Sequence, residues 1–235
     1  MAKIQYKVVS NVMNLSLEYK EFQQYVLLQL SHFFPDKKTV DLDKYHKAFD
    51  LALDRIDYCF KHITLNSYCN KGECYLNHLH SDQYAVFLWL LSNSVWKENG
   101  DENLAAKLFY LNKSLHSFNC MYDTNLPDIF LFIHLIGTVL GKATYSDFLV
   151  VTQGCTVGAH HGIYPQLGKG TSLLPNSSVI GDAHIGDYVS LGINTLVYEQ
   201  DIPDRHVVFR DDLGAIHTKS SDKPWSQQFF HFDFS

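Results

Sequence analysis

The side chains of this chain best suited to chemistry lie between residues 120 and 165. His134 stands in the apolar run FLFIHLIG. His160 and His161 open the segment HHGIYPQ, which also holds Tyr164, and Asp123 and Asp128 precede His134 in MYDTNLPDIF. An alcohol is a poor nucleophile near neutral pH, and an imidazole titrating in that range can accept its proton. A carboxylate beside the imidazole fixes its tautomer and stabilises the imidazolium that forms. On its apolar surroundings alone His134 reads first as a structural histidine. Asp123, next to Asn and Pro, reads equally as a turn former. His160 and His161 need no more explanation than surface exposure.

The elements that must hold these residues are written in sixes. From Leu167 to Leu196 the chain reads LGKGTS, LLPNSS, VIGDAH, IGDYVS and LGINTL, each unit opening on Leu, Ile or Val. An aliphatic every six residues is neither helical periodicity nor strand alternation. It predicts a parallel β-helix, with the opening aliphatics stacked inside and Gly or Asn easing corners where φ is positive. The rhythm extends upstream through VLGKAT (139–144), YSDFLV (145–150), VTQGCT (151–156) and VGA (157–159). HHGIYPQ then interrupts it, as a loop projecting from one side of a solenoid would.

Residues 1–118 read as an α-helical domain. Leu42, Tyr45, Phe49, Leu53, Ile56, Phe60 and Ile63 form one stripe on a helix opened by Asp41. A helix over Leu17–Phe33 ends before Pro35. A third starts at Ser81 or Asp82, and a fourth is capped by Asp101 after the break at Asn99-Gly100. The expected division is 1–118 helical, 119–210 β-helix and 211–235 an aromatic tail (PWSQQFFHFDFS) that must dock, on a neighbouring subunit for example.

Composition narrows the function. A net charge of −6 without basic runs argues against nucleic-acid binding. Five cysteines without framework spacing suit reduced thiols, and Cys69 and Cys74 with His78 and His80 lack the tighter pattern of a zinc knuckle, so no metal is expected. MAKIQYKVVSN carries no apolar signal-type run and no stretch reaches membrane-spanning length, so the expected location is cytoplasmic.

The run from Ile133 to Ala159, IHLIGTVLGKATYSDFLVVTQGCTVGA, resembles serine acetyltransferases. The resemblance continues through YPQLGKGTSLLPNSSVIGDAHIGDYVSLGINTLV and, more weakly, back through HSDQYAVFLWLLSN. It implies a left-handed β-helix that forms a homotrimer, with a dimer of trimers built by the helical half, and an active site between adjacent subunits. It implies transfer of acetyl from acetyl-CoA to a hydroxyl, with His134 as general base and Asp123 as its acidic partner, Asp128 in reserve. Acetyl-CoA would lie along Gly158, Ala159, Pro175, Asn176, Gly192 and Ile193, and the acceptor near His160, His161 and Tyr164.

Three departures bear on the acceptor. The family has an acidic residue where Ile133 stands, and an Arg-His pair where Ile163 and Tyr164 stand. An amino-acid zwitterion needs a charged partner at each end, because burying an unpaired charge is costly. Tyrosine and histidine suit a neutral polyol, which makes the acceptor a sugar or nucleotide sugar. The alternatives are a serine acetyltransferase with a rebuilt pocket, a zinc lyase using His134, His160, His161 and His184, and a non-catalytic trimeric scaffold.

Overall fold

The computed structural model describes residues 13–36, 40 and 42–232. The opening MAKIQYKVVSN and Asp41, the expected start of the second helix, lie outside the described residues. The first half comprises β1 (Met13–Leu15), α1 (Tyr19–Phe33), α2 (His46–Phe60), β2 (Cys69–Asn70), β3 (Glu73–Leu76), α3 (Ser81–Asn99) and α4 (Glu102–His116). Of the expected stripe, Tyr45, Phe49, Ile56, Phe60 and Ile63 are buried and Leu53 is half-buried, while the side chain of Leu42 lies outside the described residues. The helix proper begins at His46, after a single tighter turn over Leu42–Tyr45.

Every residue of α3 from Asp82 to Val95 is buried, so this helix is the centre of the domain. Its polar residues are satisfied: the Ser92 hydroxyl donates to the Ala105 carbonyl and the Asn93 amide to that of Tyr122. The Asp101 carboxylate accepts from Leu104 N and caps α4 as expected. The small sheet is a departure from the all-helical expectation. β1 pairs parallel with β3, and β3 pairs antiparallel with β2 around Lys71-Gly72, both at positive φ. That two-residue turn suits a hairpin.

From Asn119 the chain winds as a solenoid. It comprises β4 (Asn119–Cys120), β5 (Phe130–Phe132), β6 (Val139–Leu140), β7 (Thr144–Tyr145), β8 (Leu149–Val151) and β9 (Thr156–Gly158). Then come β10 (Gln166–Leu167), β11 (Ser172–Leu173), β12 (Ser178–Ile180), β13 (His184–Ile185), β14 (Ser190–Leu191), β15 (Leu196–Tyr198), β16 (His206–Arg210) and β17 (Ile216–Ser220). They stack into three faces. The first is β5, β8, β11, β14, β16 and an antiparallel β17; the second is β4, β6, β9, β12, β15; the third is β7, β10, β13. All other pairings within these faces are parallel.

The repeat openers Leu167, Leu173, Val179, Ile185 and Leu191 are all buried, as the six-residue register requires. Upstream the register needs one correction. Val139 faces outward, and its neighbour Leu140 is the core residue, aligned with Cys120 and Val157. The step from Leu140 to Tyr145 is five residues, so VLGKAT is offset by one. Corners take positive φ at Gly154, Asn176 and Asn194, and also at Phe148, Tyr188 and Arg205, where no glycine relieves the strain.

The aromatic tail docks on its own chain. Ser226 Oγ donates to the Gly170 carbonyl (2.7 Å) and Trp225 N to Ser190 Oγ (3.0 Å). Phe230 and Phe232 pack on Phe148, and Lys169 Nζ lies 3.8 Å from the Phe232 ring centre. On its other side the tail bonds to the helical domain, through Thr64 N to Phe229 O and His231 N to His62 O. It thereby covers the first face, where the outward Val150, Ser172 and Ser190 are buried. Among the described residues no helix is long and apolar enough to cross a membrane.

Candidate active site

His134 occupies the corner between β5 and β6, at a positive φ of 55°. The helical domain holds it there. Asp82, in the first turn of α3, accepts a hydrogen bond from His134 N (2.9 Å) and a longer one from Leu135 N (3.4 Å). His134 Nδ1 lies 3.9 Å from Asp82 Oδ2; the imidazole is 76% exposed, whereas the Asp82 side chain is 11% exposed. The carboxylate therefore fixes the backbone while the ring projects from the surface.

The coils below turn at the same edge in corners two residues shorter, running from Val151 to Val157, Leu173 to Val179 and Leu191 to Val197 where this one runs from Phe132 to Leu140. Gly154 N bonds to Ile136 O, Asn176 N to Gln153 O and Asn194 N to Pro175 O. Asn176 Nδ2 donates to Asn194 Oδ1 at 3.1 Å. Pro175, Asn176 and Ile193 thus stand in one column below Ile136, whose N–H donates to His134 O, and Gly192 adjoins it. At the ordinary strand spacing of about 4.8 Å, three steps make a column roughly 14 Å long.

Two of the predicted glycines have different reasons to be glycine. A Cβ on Gly192 would meet the Val208 carbonyl at 2.9 Å, so stacking of coils alone demands glycine there. A Cβ on Gly158 would touch only Ile180 Cδ1 at an ordinary 3.5 Å. The chain itself does not require glycine at 158.

Gly158, Ala159, His160, His161 and Tyr164 lie at the opposite edge of the second face, between β9 and β10. His160 and Ile163 exchange both backbone hydrogen bonds around His161-Gly162, both at positive φ, which makes the interrupting loop a tight hairpin. Glu199 reaches His160 from two coils below (2.8 Å to Nδ1), and the Tyr198 hydroxyl also meets this ring. A side chain on Gly181, in the coil between, would crowd both Glu199 and His160 at 3.0 Å.

Asp123 is at this far edge too. Its carboxylate binds Lys142 at 2.8 Å, and that bond holds the lysine above its usual pKa. Lys142 follows β6 whereas His134 precedes it, so Asp123 is not the carboxylate beside His134 in its own chain. The short MYDTNLPDIF turn carries it to the wrong end of the strand. Asp128 is also remote: it stands at the start of β5, with its N bonded to Asp147, and His134 follows the strand's end. Asp82 is the residue that sequence reasoning passed over. It was visible only as a helix start in HSDQY, 52 positions away.

The remaining histidines do not gather. His184 is bonded through Nδ1 to Asp201 (3.0 Å) and through Nε2 to Gln166 (3.0 Å) on the third face. The bond donated by His184 N lowers the Asp201 pKa. An open cavity of about 410 Å3 lies on that face, lined by Thr144, Ser146, Gln166, His184, Asp201 and Pro203 among others; none of the predicted site residues lines it. Among the described residues no cluster of three or more His, Cys, Asp or Glu is arranged to hold a metal ion.

A helical domain followed by a parallel solenoid of three-strand coils is a fold shared with solved structures. The likeness is to serine acetyltransferases. The Neisseria gonorrhoeae enzyme superposes with a TM-score of 0.62 at 16% identity, over 86% of this chain and 81% of its own. Its complex with serine gives 0.60 at 18% identity, over 80% of each chain. A serine acetyltransferase complexed with CoA gives 0.56 at 16% identity, over 74% of this chain and 72% of its own. No protein-family model and no curated protein sequence matches the chain.

Proposed function

We propose that this protein is an acetyl-CoA-dependent O-acetyltransferase with His134 as general base, acting on a hydroxyl of a sugar or nucleotide sugar. The observation that carries the reading is the corner column of Ile136, Pro175, Asn176 and Ile193, with His134 beside its head. A column of that length is on the scale of an extended pantetheine arm. In the reaction, His134 takes the proton of the acceptor hydroxyl as its oxygen attacks the thioester carbonyl. The tetrahedral intermediate collapses, the C–S bond breaks, and the imidazolium returns its proton to the CoA sulfur.

Assembly as a homotrimer fits the distribution of surface. The first face is closed by the tail and the third is polar. The second exposes Val139, Leu196 and Tyr198, flanked by Ile136 (72% exposed) and Ile193 (55% exposed) at the His134 corner. An apolar face of this kind calls for cover. A second copy on it would bring a neighbour to the otherwise open ring of His134.

The acceptor argument rests on Ile133, Ile163 and Tyr164, none of which offers a charge to a zwitterion. Ile163 and Tyr164 are both about half exposed on the hairpin, which suits stacking against a pyranose. Serine is the second reading, favoured by the serine complex of the Neisseria gonorrhoeae enzyme. Release of CoA thiol from acetyl-CoA, with serine and a panel of sugars and nucleotide sugars, decides between them. Sugar-dependent release lost in His134→Ala supports the proposal; serine-dependent release replaces the acceptor, and silence with every acceptor overturns the assignment.

A further inference from the structure

Among the described residues, histidines that face a carboxylate differ in ways that matter for proton transfer. His160 faces Glu199, His184 faces Asp201, His217 faces Asp211 and His134 faces Asp82. In the first three pairs the acid is substantially exposed, at 41%, 73% and 33% of its side chain. The Asp82 side chain is 11% exposed. The other three pairs are closer, at 2.7–3.0 Å against 3.9 Å, so what sets Asp82 apart is its burial together with its two hydrogen bonds to the backbone of the corner. His160 and His184 have hydrogen-bond partners at both ring nitrogens, whereas the His134 ring projects freely.

We propose that Asp82 is the positioning residue of the His134 site, supplied by the helical domain to a base carried by the solenoid. Both of its oxygens face the corner. They hold the His134 and Leu135 amides, which stabilises a backbone conformation that a non-glycine residue rarely adopts. The same carboxylate stands on the Nδ1 side of the ring. It favours the tautomer protonated at Nδ1, leaves Nε2 to accept the acceptor's proton, and stabilises the imidazolium.

Asp82 has other neighbours. His116 at the end of α4 and Tyr68 both feel its charge, and burial is the main influence on each, lowering the His116 pKa and raising that of Tyr68. His80 caps α3 one turn away and packs edge-on against Tyr68. None of these presents a second carboxylate to His134. The helical domain is thus a working part of the site and not only a cap.

This inference rests on His134 as the base, so its test reads the imidazole directly. The full chain, labelled with 15N at histidine, is compared by NMR as wild type and as Asp82→Asn, with His134→Asn identifying the resonance. Asparagine keeps an acceptor for the His134 amide and removes the charge. The expected result is the ring-nitrogen pattern of the Nδ1-protonated tautomer in wild type and of the ordinary Nε2-protonated tautomer in Asp82→Asn. Asp82→Ser, which also retains a helix-terminal acceptor, gives the same reading if Asp82→Asn does not fold. An unchanged tautomer in a folded variant overturns the inference. A changed tautomer in a protein inactive with every acceptor keeps Asp82 as the partner of His134 and removes the acetyltransferase reading instead.

Discussion

His134 and Asp123 flank β6 from opposite ends: the histidine stands in the corner before the strand, and the aspartate is bonded to Lys142 in the corner after it. A dyad between the two within one chain is therefore precluded by the breadth of one solenoid face. The carboxylate beside His134 comes from α3, across a domain boundary.

Replacement of His134 by Asn should lower the rate of acetyl transfer by about 10²- to 10⁴-fold, the usual contribution of a general base. The exposed ring makes no core contact, so the melting temperature should stay within a degree or two of wild type. A large loss of stability would show the ring to be structural. The comparison needs CoA-release kinetics and a thermal melt on the same preparation.

Gly158 lies across the second face from the His134 corner, so it would meet acetyl-CoA bound at the column of a neighbouring copy, and its own chain leaves room for a side chain there. Gly158→Val, at a strand position that suits a β-branched residue, should fold normally yet raise the KM for acetyl-CoA about tenfold, equivalent to about 1.4 kcal/mol. An unchanged KM would remove Gly158 from the proposed cofactor path.

Leu196 is 48% exposed on the last strand of the open apolar face. A charge there would be buried in any assembly that covers this face. Leu196→Glu should dissociate the oligomer in sedimentation velocity while leaving the circular dichroism spectrum unchanged. An oligomer indifferent to this change is built on another surface.

Asp54 gives the helical domain a pH signature. Burial, and then the charges of Asp50 and Asp57, raise its pKa from 3.8 to about 6, with Lys61 opposing. Between those values the folded chain holds a proton that the unfolded chain has lost. This group's contribution is therefore most favourable below about pH 4, falls as pH rises, and reaches its full penalty above about pH 6. Asp54→Asn, which mimics the protonated acid, should raise the melting temperature at pH 7, with the gain shrinking to nothing near pH 4. A gain independent of pH would refute the assignment.

Phe230 ties the tail to both halves of the molecule: it is 3% exposed, packs on Phe148 of the solenoid and bridges to Ile63 after α2. Phe230→Ala should cost about 3–5 kcal/mol by cavity formation. Urea denaturation measures it, and a loss under 1 kcal/mol would show that the tail does not clasp the two halves.

The fold was legible because it is written in local chemistry. Leu167, Leu173, Val179, Ile185 and Leu191 repeat every six residues, and each fills the same interior position one strand further along. The helices were equally readable where a stripe or cap marks them, as with Phe49 and Asp101. Register failed at Val139 because the step from Leu140 to Tyr145 is one residue short, and a six-residue count cannot see a five-residue corner.

Legibility of the site divides along the same line. Pro175, Asn176 and Ile193 follow from the repeat, since residues at equivalent repeat positions stack into a column whatever lies outside it, and His134 stands in the longer corner beside that column. Asp82, the Glu199–His160 contact and the docking of the tail on its own chain follow from no local pattern. Each joins segments tens of residues apart, and whether such groups meet depends on how the helical domain and the solenoid pack. Sequence by itself determined the solenoid and the corner that carries His134; only the tertiary structure decided which carboxylate stands beside it, because a side chain's partners are set by the path of the whole chain and not by its neighbours along it.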